Sequence, residues 1–266
     1  MRKKAVFFDI DGTLYDFRTG ICDSTKEAVR KLKENGHYAF ICTGRTMASI
    51  FDRELLSMGF DGLVAGCGTY IVNEGRLLLN YEIPEEKLKE VLDIMETFRM
   101  TPVLEGENYL YYCREDYVVK HQDAYMINME HLIPERLREL DGLRIDELHV
   151  NKFCVLCEDP VLAKEGLSLL SRDFDIMHLS EDRKEFAPKG YNKGTGMERM
   201  CSRIGVERFD TYAFGDSEND LDMLKYAGVG IAMGNGVMAA KEAADYVTRP
   251  INEHGIYAGL KEFGLI

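Results

Sequence analysis

The sequence predicts an α/β protein, a doubly wound parallel sheet assembled from both ends of the chain and interrupted by an inserted α+β unit. Three observations carry this. Short apolar runs ended by Asp or Gly alternate with helical stretches near both termini, the pattern of a parallel sheet covered on both faces. The alternation breaks off near residue 82 and resumes near 188, with helix-strand-strand at each end of the segment between. Charge divides at the same places: residues 83–187 hold 13 basic and 24 acidic side chains, a net of -11, out of -13 for the whole chain. The expected division is therefore 1–82 with 188–266, and 83–187.

Each element has its own signal. KAVFF (4–8) is short and wholly apolar, a buried strand stopped by Asp9. Ser24 or Thr25 is placed to cap a helix through Glu34, with Gly36 just past its end. HYAFIC (37–42) is the next strand, followed by a helix over 46–58, a strand GLVA (62–65) and a hairpin turning at Asn73-Glu74-Gly75. In the insert, Pro84 suits a first helical turn, and EEKLKEVLDIMETF continues with helical apolar spacing. A strand pair turns at Glu105-Gly106-Glu107, and helical stretches occupy 114–140. KFCVLC (152–157), a helix over 159–172, DIMHL (175–179) and KEFAP (184–188) complete the insert as a small domain with one open sheet. Beyond it come a helix over 192–204, TYAFG (211–215), a helix from Ser217, GVGIAM (228–233), a helix over 236–243 and DYVT (245–248).

The composition narrows the function classes. With 266 residues, 45% hydrophobic and 30% charged, the chain has ample apolar material for a core, which excludes disordered and collagenous readings. No apolar run approaches the roughly 18 residues of a membrane span. The apolar stretch after the basic start ends at Asp9, too short for a secretory signal, so a cytoplasmic protein is expected. A net of -13 repels a phosphate backbone and argues against a nucleic-acid partner, and no obligate protein partner is evident. Seven cysteines, an odd number scattered from Cys22 to Cys201, suit a reducing compartment. Cys154 and Cys157 sit three apart on a strand and face opposite ways, so they read as small buried hydrophobes rather than a metal pair.

Four segments carry chemistry. Asp9-Ile10-Asp11-Gly12-Thr13 comes directly after the first strand, at the edge where doubly wound sheets bind ligands. Carboxylates at i and i+2 on extended backbone face the same side, so one can attack while the other handles a proton. A calcium loop also opens with Asp-x-Asp, but needs Gly sixth and Glu twelfth; here Gly12 is fourth and Gly20 twelfth. Gly215-Asp216-Ser217-Glu218-Asn219-Asp220 marks a second strand-to-helix junction, and helix capping explains one of its acids but not all. Four carboxylates in one crevice call for a hard cation and a lysine, and oxygen ligands of this kind suit Mg²⁺. Thr43-Gly44-Arg45 offers a hydroxyl and backbone N–H groups for an anion, or plain turn punctuation. Lys193 opens the helix after the insert and, taken by itself, reads as a surface charge.

Together these segments resemble the haloacid dehalogenase superfamily, and closely its Cof-type, subfamily IIB hydrolases, over the whole chain. FFDIDGTLYD is similar to the first motif of that family, ICTGR to the second, the lysine of YNKG to the third and FGDSENDLDML to the fourth. The run GIAMGNGVMAAKEAADYVT resembles the C-terminal pattern of this branch. One departure is Cys67-Gly68-Thr69, where the family often has Asn-Gly-Ala. The resemblance implies a Rossmann-like core with an inserted α/β cap that chooses the leaving group. It implies a Mg²⁺-dependent phosphatase of small phosphomonoesters, such as sugar phosphates or a phosphorylated cofactor. Asp9 would be the nucleophile and Asp11 the acid and base. The side chains of Asp9 and Asp216 and the backbone of Asp11 would bind the metal. Thr43, Gly44 and Lys193 would hold phosphoryl oxygens, Asn219 would touch phosphate or metal, and Asp220 would hold Lys193 or a water next to the metal's ligands. Arg45 is either a substrate contact or a surface arginine. A phosphomutase of the phosphomannomutase type and a non-catalytic phosphate-binding module are the alternatives.

Overall fold

The four side chains of β1 (Ala5–Phe8) are completely buried in the computed structural model, which describes residues 2–266. In chain order there follow α1 (Asp23–Glu34), β2 (Tyr38–Cys42), α2 (Arg53–Ser57), β3 (Gly62–Ala65), β4 (Tyr70–Asn73) and β5 (Arg76–Asn80). Next are α3 (Glu85–Thr97), β6 (Met100–Glu105), β7 (Leu110–Tyr112), α4 (Ala124–Leu132), β8 (Leu137–Glu139), β9 (Lys152–Cys157), α5 (Pro160–Leu170), β10 (Phe174–His178) and β11 (Arg183–Pro188). The chain ends with α6 (Lys193–Ile204), β12 (Thr211–Gly215), α7 (Leu221–Tyr226), β13 (Val229–Ala232), α8 (Met238–Ala243), β14 (Tyr246–Val247) and α9 (Gly255–Glu262). It divides into two compact units, Met1–Gly44 with Asp52–Leu79 and Tyr191–Ile266, and Arg45–Phe51 with Asn80–Gly190.

The first unit is a doubly wound, Rossmann-like α/β domain. Its eight-stranded sheet has the order β14-β13-β12-β1-β2-β3-β4-β5, parallel from β14 to β3, with β4 antiparallel to β3. Burial on both faces accounts for the uninterrupted apolar runs of β1 and β12. One face packs Ala5, Phe7, Phe40 and Ala213 against Met197, Met200, Met223 and Leu224 of α6 and α7. Truncating Phe7 there to alanine costs about 3–5 kcal/mol. From β1 the order runs outward to β2 and β3, and from β12 the other way to β13 and β14. The winding therefore reverses between β1 and β12, the switch point at which such sheets leave a crevice for ligands.

The second unit has a six-stranded sheet of order β10-β11-β9-β6-β7-β8, antiparallel except where β7 meets β8. Side-chain alternation separates its faces. Phe153, Val155 and Phe186 pack beneath Leu88, Val91, Met95, Ala163 and Leu170 of α3 and α5. Leu156, Val103, Leu110 and Tyr112 meet Tyr117, Met126, Met129 and Ile133. The sheet is open-edged as expected, and its second face is partly covered by residues 117–133. None of the seven cysteines is in a disulfide among the described residues, with Cys157 buried and Cys154 half-buried.

Several elements differ from expectation for local reasons. The helix expected over 46–58 is a turn at Met47–Ser49 and then α2, because the Asp52 carboxylate accepts from Leu55 N–H and starts a new helix. The intervening residues 45–51, grouped by the sequence pattern with the first unit, belong to the second. Cys22, not Ser24 or Thr25, precedes α1. The stretch 114–140 holds a wide helical turn at Glu115–Lys120, then α4 capped by Asp123, then the short β8. No periodic signal singled out α9, whose Ile256 and Leu260 are buried.

Candidate active site

Parallel register brings the motifs to one sheet edge. Phe8 lies opposite Ile41 and Phe214, so Asp9, Thr43 and Asp216 all emerge from the carboxyl ends of neighbouring strands. The backbone of Asp9 continues the sheet, its N–H donating to Phe214 O at 3.0 Å. After it the chain turns sharply, with Leu14 and Tyr15 N–H donating to Ile10 O. Gly12 takes φ +77° there, and a Cβ on it would lie 2.3 Å from Asp216 Oδ2; only glycine admits that approach. Thr13 Oγ1 donates to Asp216 Oδ1 at 2.8 Å, and Asn235 Nδ2 donates to Gly12 O at 2.8 Å.

Lys193 is the first residue of α6, behind an Asn192 cap that accepts from Thr195 N–H at 2.7 Å. A cation in a first helical turn runs against the macrodipole, so the helix itself does not favour it. Its partners do. The fully buried ammonium donates to Asp9 Oδ1 at 2.7 Å, Asn219 Oδ1 at 2.7 Å and Asp220 Oδ1 at 2.5 Å. Asp220 Oδ2 accepts from the backbone N–H groups of Asp216 and Ser217 at 2.8 and 2.9 Å, fixing the loop that carries Asp216. Gly215 leaves room for this, since a Cβ there would lie 2.5 Å from Asp220 Cγ.

The electrostatics are those of a cluster with surplus negative charge. Burial, and then the charge of Asp220, raise the Asp9 pKa well above the carboxylate range despite Lys193. Burial and Asp220 likewise push Asp216 up to about 6. Burial alone would lower Lys193, but Asp220 and Asp9 outweigh it and hold its pKa well above the usual lysine value, so it stays charged. Oxygens of Asp9, Asp216 and Asp220 lie within 4.8 Å of one another. Both carboxylate oxygens of Asp220 already accept from Lys193 or backbone, which leaves Asp9 and Asp216 as the pair that could hold a metal. Hard oxygen donors carrying uncompensated charge fit a divalent cation.

The structure brings together Asp9, Lys193, Asp216, Asn219 and Asp220. Asp11, half-buried, adds its charge to both Asp9 and Asp216. Thr43 is buried at the end of β2, and its N–H donates to Val64 O at 2.8 Å, so its side chain rather than this N–H is what it offers a ligand. Asn219 turns its carbonyl oxygen to Lys193 and to Ser217 Oγ, leaving its Nδ2 side for an anion. Arg45 belongs to the second unit, where its guanidinium donates to Ser49 O at 3.3 Å and lies 5.4 Å from the Phe51 ring centre. Sequence reasoning missed Thr13, Ser217, Asn192 and Asn235. An oxygen-bearing side chain just after each acidic motif, and an asparagine between Gly234 and Gly236, were the available signals. Cys67 is buried at φ 54°, ψ 38°, and its N–H donates to Thr43 O at 3.2 Å. That backbone suits asparagine better than cysteine, which gives a physical sense to the asparagine often found there in the family.

A doubly wound sheet whose switch point carries this lysine and these carboxylates defines a hydrolase that handles phosphate. The signature of the haloacid dehalogenase-like hydrolases matches residues 6–260, and the chain belongs to that family, within its subclass IIB, Cof-type phosphatases. It is 31% identical over 268 residues to YkrA of Bacillus subtilis (strain 168), covering the whole of both chains. It is 29% identical over 282 residues to the 5-amino-6-(5-phospho-D-ribitylamino)uracil phosphatase YitU of the same organism, covering 97% of this chain and 96% of that one. Its structure is similar to that of the subclass IIB sugar phosphatase BT4131, with a TM-score of 0.84, 30% identity and coverage of 99% and 100%. The protein is a phosphoric monoester hydrolase of this family.

Proposed function

We propose that this enzyme hydrolyses small phosphomonoesters with Mg²⁺ through an aspartyl-phosphate on Asp9, in a cytoplasmic setting. The observation that carries the reading is the buried Lys193 ammonium, spread over Asp9, Asn219 and Asp220 beside Asp216. It keeps one oxygen of Asp9 tied and a positive charge fixed where phosphate must sit. Mg²⁺, held by the side chains of Asp9 and Asp216 and the backbone of Asp11, would supply charge neutralisation of the phosphoryl oxygens.

The residues then divide the work. Asp9 attacks phosphorus through Oδ2, the bond from phosphorus to the leaving oxygen breaks, and Asp11 gives that oxygen its proton. Asp11 next takes a proton from water, the water oxygen attacks phosphorus, and the Asp9–phosphorus bond breaks to free the carboxylate and inorganic phosphate. Thr43, Gly44 and Lys193 hold the phosphoryl oxygens as charge shifts, with Asn219 adding a donor. Asp220 keeps Lys193 in place. The second unit selects the leaving group, with Arg45 among its candidate contacts. The relatives' named activities, on a sugar phosphate and on a ribityl phosphate, favour a hydroxyl-rich leaving group.

The test is phosphate release from a panel of phosphorylated sugars and polyols, run in ¹⁸O-labelled water with and without a chelator. Labelled phosphate, loss with chelator and return with Mg²⁺ are expected. Unlabelled transfer back to substrate would mean a mutase, and full activity in metal-free buffer would overturn the role of Asp216.

A further inference from the structure

Residues 45–51 leave the phosphate loop at Gly44 and rejoin the first unit at Asp52, yet they are built into the second unit. Ala48 is fully buried in the apolar cluster of Leu110, Tyr117, Met126 and Met129. Its N–H donates to Gly106 O at 3.4 Å. Arg136 closes the arrangement. Its Nη1 lies 3.0 Å from Met47 O, 3.2 Å from Ala48 O and 3.0 Å from Ile50 O. Met47 O also accepts from Ile50 N–H at 3.3 Å, and a charged donor aimed at three carbonyls satisfies that end of the turn. Two N–H groups shared among three oxygens make charge-assisted bonds, stronger than neutral ones. A surface arginine has no reason to gather three carbonyls from a segment 86–89 residues away in sequence.

We propose that Arg136 is a positioning residue for the phosphoryl-binding loop, acting through the backbone of 47–50 on Gly44 and Thr43. The proposal rests on the reading of Thr43 and Gly44 as phosphoryl contacts. Upstream the loop is held by its own sheet, through Thr43 N–H to Val64 O and Cys67 N–H to Thr43 O. Downstream of Gly44 the hold is the clamp of Arg136, together with the burial of Ala48 and its N–H to Gly106 O. A loop fixed at one end only keeps its contacts but loses their direction, which weakens phosphate binding before it touches the chemistry.

Inorganic phosphate is the probe. Its competitive inhibition constant against a chromogenic monoester is measured for the wild type, Arg136→Ala, Arg136→Lys, Thr43→Ala and Met129→Ala, with kcat, KM and the thermal midpoint. Arg136→Ala should raise the phosphate constant and KM by about tenfold with kcat within about threefold, the pattern of lost ground-state and transition-state binding alike. Arg136→Lys should recover most of this. Met129→Ala, which opens the same cluster without touching the carbonyls, should lower the thermal midpoint and leave the phosphate constant alone. Combining Arg136→Ala with Thr43→Ala should cost less than the two changes summed. Wild-type phosphate binding in Arg136→Ala, with Thr43→Ala impaired, overturns the clamp alone. An equal effect from Met129→Ala reduces it to general stability. No effect from Thr43→Ala removes the phosphoryl assignment and the clamp together.

Discussion

Asp9 is held at a cost that its neighbours make visible. Its raised pKa records burial first and the charge of Asp220 second, which Lys193 does not outweigh. Asp9→Asn keeps the shape and removes the Asp9 charge, so it should raise the urea midpoint while cutting turnover by several orders of magnitude. A variant with more than about a tenth of wild-type rate would refute covalent attack by Asp9. Asp216 extends the same argument to pH. Its folded pKa of about 6 exceeds the value of 3.8 for a free carboxyl, so between these values the folded state binds more protons than the unfolded. In metal-free protein its contribution to stability is therefore present below about pH 4 and lost as pH rises to about 6, by at most about 3 kcal/mol. A divalent cation favours the ionised form and should restore that loss at about pH 7.5 far more than at about pH 4.5. Thermal melts with and without Mg²⁺ at the two pH values check the sign; equal gains at both would place the cation elsewhere.

The elements matter chiefly for the loops they launch. The turn after β1 and the loop after β12 interlock at Gly12, where any side chain meets the Asp216 carboxylate. Gly12→Ala should cost about 1–3 kcal/mol in backbone strain and, by displacing Asp216, raise the Mg²⁺ concentration for half-maximal activity at least tenfold. Calorimetric Mg²⁺ titration with wild-type affinity would show that the contact is incidental. The same two junctions explain why so much was legible in the sequence. β1, β2 and β12 are apolar through nearly every position, and acids directly after such runs have nowhere to go but the sheet edge. Lys193 was opaque by itself, since nothing in its neighbourhood tells a buried ammonium from a solvated one; the family resemblance identified it. Residues 45–51 misled because Thr46 to Met58 has a plausible helical pattern, and the contacts that divide it, from Arg136 and Gly106, come from far along the chain. The role of Asn235 was hidden for the same reason, since its partner Gly12 lies far along the chain.

For the whole molecule, the strongly acidic insert and the proposed catalytic residues are separate along the chain, so specificity and chemistry should be exchangeable. Replacing Asn80–Gly190 together with Arg45–Phe51 by the equivalent parts of a relative should transfer substrate preference and leave dependence on Asp9 intact. The assay is kcat/KM for each parent's substrate, and preference that stays with the recipient would make the second unit a structural element. Moving residues 80–190 alone should give a poorer chimera, because Ala48 and the carbonyls of 47–50 would face a foreign surface. The position of β1 between β2 and β12 has a further consequence, for biosynthesis. Tyr38 is available to pair with Ala5 once both have left the ribosome, but Thr211 only when roughly four-fifths of the chain has been made. Throughout translation of the insert, the wholly buried β1 therefore lacks its β12 partner on one edge. The second unit, all of whose residues emerge before Tyr191, can fold in that interval, while the nascent first unit is the species that needs chaperone cover. Asp9 and Asp216 are separated by the whole insert, so a growing chain can assemble the proposed catalytic centre only after residue 216 has been made.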